Sequence, residues 1–291
     1  MTTRSDRQLR SAPSGVGKDV LTVGAALACA LALAGCSDGT QTDHGGATDP
    51  SSSVADDGRP DQQAAASAAN RAGSFGFTNQ AAATQEAIVE SRDEARRRQS
   101  NTTGTTVEPA DCASPLTAID WSPILMPDAE ASRVDFGSET FAGTGTVEVA
   151  SLEDAEVVRD HMRSVDQLVA ECPELSLTVA DSSVQGSSSS ASSDSSSSSS
   201  VYDVTARASE ADADSALVWT RTPAGGQSGG AENGAEDEAE GGNEGQTTVQ
   251  VLMDQTDDYV VMVSFIGGSE VAGEEFTTMA EEILATAVDA L

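Results

Sequence analysis

Low-complexity tracts decide how much of this chain can fold. Residues 182–200 are almost entirely serine, and residues 224–245 are almost entirely glycine, glutamate and alanine. Neither tract carries side chains able to hold a packed conformation, so both are expected as disordered inserted loops. Such inserts are tolerated because closure entropy grows only with the logarithm of length, about 0.6 kcal/mol per doubling. Residues 36–108 are dominated by Ser, Thr, Gly, Asp and Ala and hold almost no aliphatic side chains. They read as a disordered tether, because they cannot bury enough apolar surface to offset the entropy of ordering. What remains is the core of a domain spanning 109–291, about 140 residues once the inserts are set aside, which is enough for one domain.

The N-terminus supplies an address. Basic residues Arg4, Arg7, Arg10 and Lys18 precede a charge-free apolar run from Leu21 that closes in Leu33-Ala34-Gly35-Cys36. The run is shorter than the roughly 20 residues a membrane span requires, so it reads as a secretory signal. Small residues immediately before a cysteine form the pattern of a bacterial lipobox. Residues 1–35 are therefore expected to be removed as a lipoprotein signal peptide, leaving Cys36 as a lipidated N-terminus. Acyl chains on Cys36 would hold the protein on the extracytoplasmic face of the cell membrane at about 0.8 kcal/mol per buried CH₂. Ordinary secretion with an incidental cysteine is the alternative.

The formal charge of −33 excludes one class of partner. Removing residues 1–35 deletes four basic and two acidic side chains, which leaves the mature chain at −35. Nucleic acid and anionic headgroups would be repelled by such a polyanion. Membrane contact is thus expected through the N-terminal diacylglycerol alone, and no nucleic-acid partner is expected. Inside the tether, residues 80–99 could form a short helix with little more than Ile88 and Val89 as its apolar face. The triplet Arg96-Arg97-Arg98 could touch lipid phosphates, but a solvated charge run is the reading preferred. Phe75 and Phe77 find no explanation in a tether.

The core carries periodic signals. Ser151 is an N-cap candidate with Asp154 three residues on. Behind it Ala155, Val158, Met162, Val165, Val169 and Cys172 recur at helical spacing, so a helix over 152–172 presents one stripe to a core, and Pro173 ends it. A second helix is predicted over 273–290, with Phe276, Met279, Ile283 and Ala287 on one face and Glu274 and Glu275 suited to its N-terminal dipole. Seven alternating or β-branched runs read as strands: 133–141, 144–150, 175–180, 201–208, 216–222, 247–253 and 259–266. Residues 254–258 form a hairpin turn, and strands joined without helical crossovers pair antiparallel. The expected fold class is α+β: an antiparallel sheet of about six or seven strands packed against two main helices.

Four cysteines need places. Cys29 leaves with the signal and Cys36 is acylated, so Cys112 and Cys172 remain as a pair in an oxidising compartment, where a disulfide is expected. Two buried free thiols are the alternative. No His, Cys or carboxylate cluster accompanies them at ligand spacing, so no metal site is expected.

The run Ala110-Asp111-Cys112-Ala113-Ser114-Pro115-Leu116 is followed by strands and then by Ser151-Leu152-Glu153-Asp154-Ala155, which opens a helix ending at Cys172. With the later strands and the closing amphipathic helix, this layout resembles the extracellular sensor domains of the mycobacterial PknH kinase family and their stand-alone lipoprotein relatives. The resemblance covers the core, about half of the chain. It implies an antiparallel sheet with helices on one face and a cleft for an extracellular ligand of unknown identity. The sequence departs from that family where a second cysteine pair is usual, since 247–253 and 259–266 contain none, and the two inserts are foreign to it.

Candidate chemistry is sparse. His161 is the only core histidine and lies at the border of the apolar stripe, where it reads as a surface residue rather than a general base. The serines lack a nucleophile elbow or a base at fixed distance. Asp254, Asp257 and Asp258, or the acidic run 232–244, could gather calcium, but both lack the alternating ligands and glycine of a calcium loop. Trp121, Trp219, Phe136, Phe265 and Tyr259 are the aromatic stock, needed mostly by the core. The expectation is a non-catalytic, membrane-anchored extracytoplasmic domain without cofactor that binds a small ligand. The alternatives are a structural or adaptor lipoprotein that engages another envelope protein, and an exported hydrolase.

Overall fold

The computed structural model describes residues 58–100, 104–180, 199–224 and 245–291, with the side chains of 98–100 excepted. Cys36, the signal segment and most of both inserts lie outside them. In chain order the elements are α1 (Pro60–Ser74), β1 (Asn79–Ala82), α2 (Gln85–Ser100) and β2 (Thr105–Glu108). Three 3₁₀ turns follow, Ala110–Ala113, Pro115–Asp120 and Pro123–Leu125, then β3 (Ala131–Gly137), β4 (Thr144–Ser151) and α3 (Ala155–Glu171). The chain continues through β5 (Glu174–Ala180), β6 (Ser199–Ala208), β7 (Ser215–Pro223), β8 (Thr247–Gln255) and β9 (Tyr259–Gly267), and closes with α4 (Glu274–Asp289).

All strands join one antiparallel sheet of order β1-β3-β4-β9-β8-β7-β6-β5-β2. The α+β class holds, and a strand forms within each of the seven expected runs, although the first ends at Gly137 rather than Phe141. Among the described residues the sheet has nine strands rather than six or seven, because β1 and β2 come from the stretch assigned to the tether. Each of these four-residue strands covers one edge of the sheet, the ordinary protection against edge-to-edge pairing. Ser199 and Ser200, placed in an insert by composition, pair with Ala180 and Val179 as the start of β6.

The tether assignment therefore fails over the described residues from Arg59 to Glu108. The physical reason lies in α1. Its buried stripe is Ala64, Ala65, Ala68, Ala69 and Ala72, side chains too small to register as a hydrophobic run. Their smallness lets α1 lie close against β3, β4 and α4, so stabilisation comes from close packing rather than from large buried side chains. Pro60 at its first turn and Asp61 behind it suit a helix N-terminus. Asp61 is fully buried, paired with Arg59 and accepting from the Ser132 hydroxyl at 2.7 Å. Phe77, just beyond α1, stands at the centre of an aromatic cluster. Its ring lies 5.5 Å from Phe136, 5.8 Å from Phe141 and 5.4 Å from Phe265.

The two faces of the sheet are covered differently. Strand alternation sends Val134, Phe136, Val147, Val149, Leu252, Val261, Val263 and Phe265 to the face beneath α1 and α4. Ala131, Ala150, Met253, Val260 and Met262 point to the opposite face, under α2, α3 and the third 3₁₀ turn. Further along that second face Leu175, Leu177, Val204, Leu217, Trp219 and Val249 pack beneath α3 and the first two 3₁₀ turns. Helices thus occupy both faces, not one as the resemblance implies. α3 is capped by Asp154, whose carboxylate accepts from Glu156 N–H at 2.8 Å. Ser151, the expected cap, instead ends β4 and accepts from Glu130 N–H at 2.9 Å. The Cys112–Cys172 disulfide ties the first 3₁₀ turn to the end of α3 across a separation of 60 residues.

Candidate functional site

The second face carries a charged cluster where the sequence pattern calls for apolar side chains. On β3, Arg133 and Asp135 alternate with Val134 and Phe136. On β4, Thr146 and Glu148 alternate with Val147 and Val149. Register places Arg133 opposite Glu148 and Asp135 opposite Thr146, so strand pairing itself assembles the group. Arg133 Nη1 donates to Glu148 Oε1 at 3.2 Å, while its Nε and Nη2 donate to Asp135 Oδ1 at 2.9 and 2.7 Å. The Thr146 hydroxyl donates to the same Asp135 oxygen at 3.0 Å. The Ser122 hydroxyl, just before the third 3₁₀ turn, donates to Glu148 Oε2, and Ile124 N–H also bonds this carboxylate.

Exposure grades across the group, from 3% for the Glu148 side chain through 23% for Arg133 to 32% for Asp135. Burial pushes the Glu148 carboxyl above its ordinary pKa, against the opposing pull of Arg133 and the Ser122 hydroxyl. Burial also works against the Arg133 charge, but the carboxylates of Glu148 and Asp135 outweigh it and hold the guanidinium above its ordinary value. Ser122 therefore donates to a carboxylate already committed to an ion pair. That geometry fastens a loop to the sheet.

Trp121 precedes Ser122 and is half-buried. Its ring stacks on that of His161 from α3, with centroids 4.1 Å apart and planes 18° from parallel. His161 is not the surface residue expected. It is 8% exposed, because the stretch joining the second and third 3₁₀ turns crosses α3 and sets Trp121 over it. Its Nδ1 is buried without a hydrogen-bond partner among the described residues, and burial lowers its pKa to about 4. The imidazole acts here as a neutral aromatic.

Other sequence candidates are not brought together. Asp254 accepts from Asp214 N–H at 2.9 Å, and no group of three metal-binding side chains occurs among the described residues. Phe136 and Phe265 are fully buried in the aromatic cluster and Trp219 is buried under the first 3₁₀ turns, which leaves Trp121 as the tryptophan at the edge of a site. Sequence reasoning missed Arg133, Asp135 and Glu148. The available signal was a charged residue at a strand position flanked by valine on both sides, Thr146-Val147-Glu148-Val149, which marks a buried carboxylate in need of partners.

No family model matches the chain, and no curated protein matches it. Among solved structures, the extracellular domain of PknH from Mycobacterium tuberculosis is similar over 77% of this chain and 89% of that one, with a TM-score of 0.37 and 14% identity. An uncharacterized protein from Mycobacterium smegmatis, the Rv0999 orthologue, is similar over 77% of this chain and 95% of its own, with a TM-score of 0.37 and 15% identity.

Proposed function

We propose that this chain is a lipid-anchored, extracytoplasmic binding domain held to the membrane through Cys36, with its ligand site at the Arg133–Asp135–Glu148 cluster beside Trp121. The observation that carries the extracytoplasmic part is the Cys112–Cys172 disulfide, which persists in an oxidising compartment and accords with the export pattern that ends in Cys36.

The binding role is supported by a charged cluster graded from buried to solvent next to a half-buried tryptophan, the pairing of a few placed polar groups with an aromatic side chain that ligand sites use. The adaptor alternative needs a contiguous apolar patch. The exposed large apolar side chains among the described residues are Val89, Val157 and Val201, on three separate elements. Native mass spectrometry of the exported chain, purified in a mild detergent that is stripped off in the gas phase, tests the binding role. A reproducible adduct that is lost in Trp121→Ala supports it, and a bare mass for the exported protein argues against it.

A further inference from the structure

β1 and β2 lie at opposite edges of the sheet, eight strand spacings or about 38 Å apart, and the chain between them is α2 with its short flanks. A 16-residue helix is about 24 Å long, so α2 has to cross the second face to connect the two edges. Its seat there is narrow. Ile88 is the one buried side chain among residues 85–97; it joins the buried cluster that holds Ile124, Met126, Ala129 and Ala131, and α2 lies against the third 3₁₀ turn and β3. Three backbone carbonyls hold the polar anchors. Arg92 Nε donates to Ile124 O at 2.6 Å and Arg92 Nη2 to Ala129 O at 2.8 Å, while Gln85 Nε2 donates to Ala131 O at 3.0 Å. The rest of this helix is mostly charged or polar, and Val89 beside Ile88 is 52% exposed. A helix of this length is marginal in water by itself.

The seat is also coupled to the charged cluster. Ile124, whose carbonyl holds Arg92, gives its N–H to Glu148, so one 3₁₀ turn joins α2 to the candidate site.

We infer that α2 is a strap that lifts from this seat as a unit while the nine-stranded sheet stays formed, uncovering the patch of Ile124, Met126, Ala129 and Ala131 beside the Trp121 site. Its role as a gate on ligand access rests on the binding role proposed above; the lifting itself does not, and its test uses no ligand.

The test is native-state hydrogen exchange on the oxidised exported chain, with limited trypsin digestion at Arg96 and Arg97 as a second readout. In the native protein the α2 amides are expected to exchange through an opening that depends little on denaturant and is at least about a hundredfold more populated than the opening of β4, β8 and β9. Arg92→Ala removes two bonds from a charged donor and is expected to raise α2 exchange and trypsin cleavage by about tenfold or more, leaving β9 within about twofold. Ile88→Ala should act in the same direction. The inference is overturned if the native α2 amides follow the denaturant dependence of β9, or if either variant changes α2 and the sheet by the same factor or changes neither. Because the native measurement alone can refute it, a variant that fails to fold does not rescue the inference.

Discussion

The Trp121–His161 stack makes stability depend on pH through one side chain. A histidine whose pKa falls from 6.5 in the unfolded chain to about 4 in the fold binds its proton more tightly when unfolded. Between those values the unfolded state holds the extra proton, so folding stability rises with pH. The full contribution is present above about pH 6.5 and is lost progressively as pH falls toward 4. At 1.36 kcal/mol per pKa unit the loss is about 2 kcal/mol at pH 5 and about 3 kcal/mol below pH 4. Glu148 works in the opposite sense. Its raised folded pKa means that the fold binds a proton more readily than the unfolded chain, so its cost to stability is relieved as pH falls through that folded value. Comparison with His161→Phe isolates the histidine, because the ring stack is kept, the titration is removed and Glu148 is present in both proteins. Urea unfolding followed by tryptophan fluorescence at pH 7.5 and pH 5 reads the difference. The native protein is expected to lose about 2 kcal/mol more than His161→Phe over that interval. An equal loss in the two proteins would refute the argument that His161 is held neutral by burial.

Four further outcomes follow from the packing. Replacing both Cys112 and Cys172 with serine opens a 60-residue loop and should lower stability by about 4 kcal/mol in the chain-entropy model, read from urea unfolding as a lower midpoint with a slope that does not fall. Glu148→Ala should destabilise by about 1–2 kcal/mol because it leaves the Ser122 hydroxyl and the Ile124 N–H without their acceptor, while Arg133 keeps its two bonds to Asp135; calorimetry at pH 7 reads the difference. A Cβ at Gly145 would lie 2.0 Å from the Phe136 ring, so Gly145→Ala should cost about 2 kcal/mol by overpacking, and unchanged melting would show that the ring can yield. A chain starting at residue 109, the boundary that composition suggests, should expose the cluster beneath α1 and fail to unfold cooperatively, while one starting at Gly58 should show a single sharp transition by circular dichroism.

How much of this was legible in the sequence depended on side-chain size. β3 to β9, α3 and α4 could be read because their valines, leucines and phenylalanines recur with the period of the element that buries them. α1 could not, since an alanine stripe at 64, 65, 68, 69 and 72 has the composition of a linker and is distinguished only by what it packs against. β1 and β2 are four-residue edges whose extended state comes from pairing with β3 and β5 rather than from their own propensity. The disulfide followed from counting cysteines. The site was harder. His161 sits on the border of the α3 stripe, and its burial is decided by Trp121, forty residues away on an extended stretch between two 3₁₀ turns that has no periodic signal. Arg133 and Glu148 meet through register, a property of the strand pair that neither strand shows alone.

The membrane-anchored reading is tested most directly by mass spectrometry of the N-terminal peptide, taken from the protein produced in a bacterium that lipidates its exported proteins. The account predicts a chain in the membrane fraction that begins at Cys36 and carries a thioether-linked diacylglycerol, with Cys36→Ala lost from that fraction. A soluble chain that retains residues 1–35, or one with an unmodified Cys36, would contradict it.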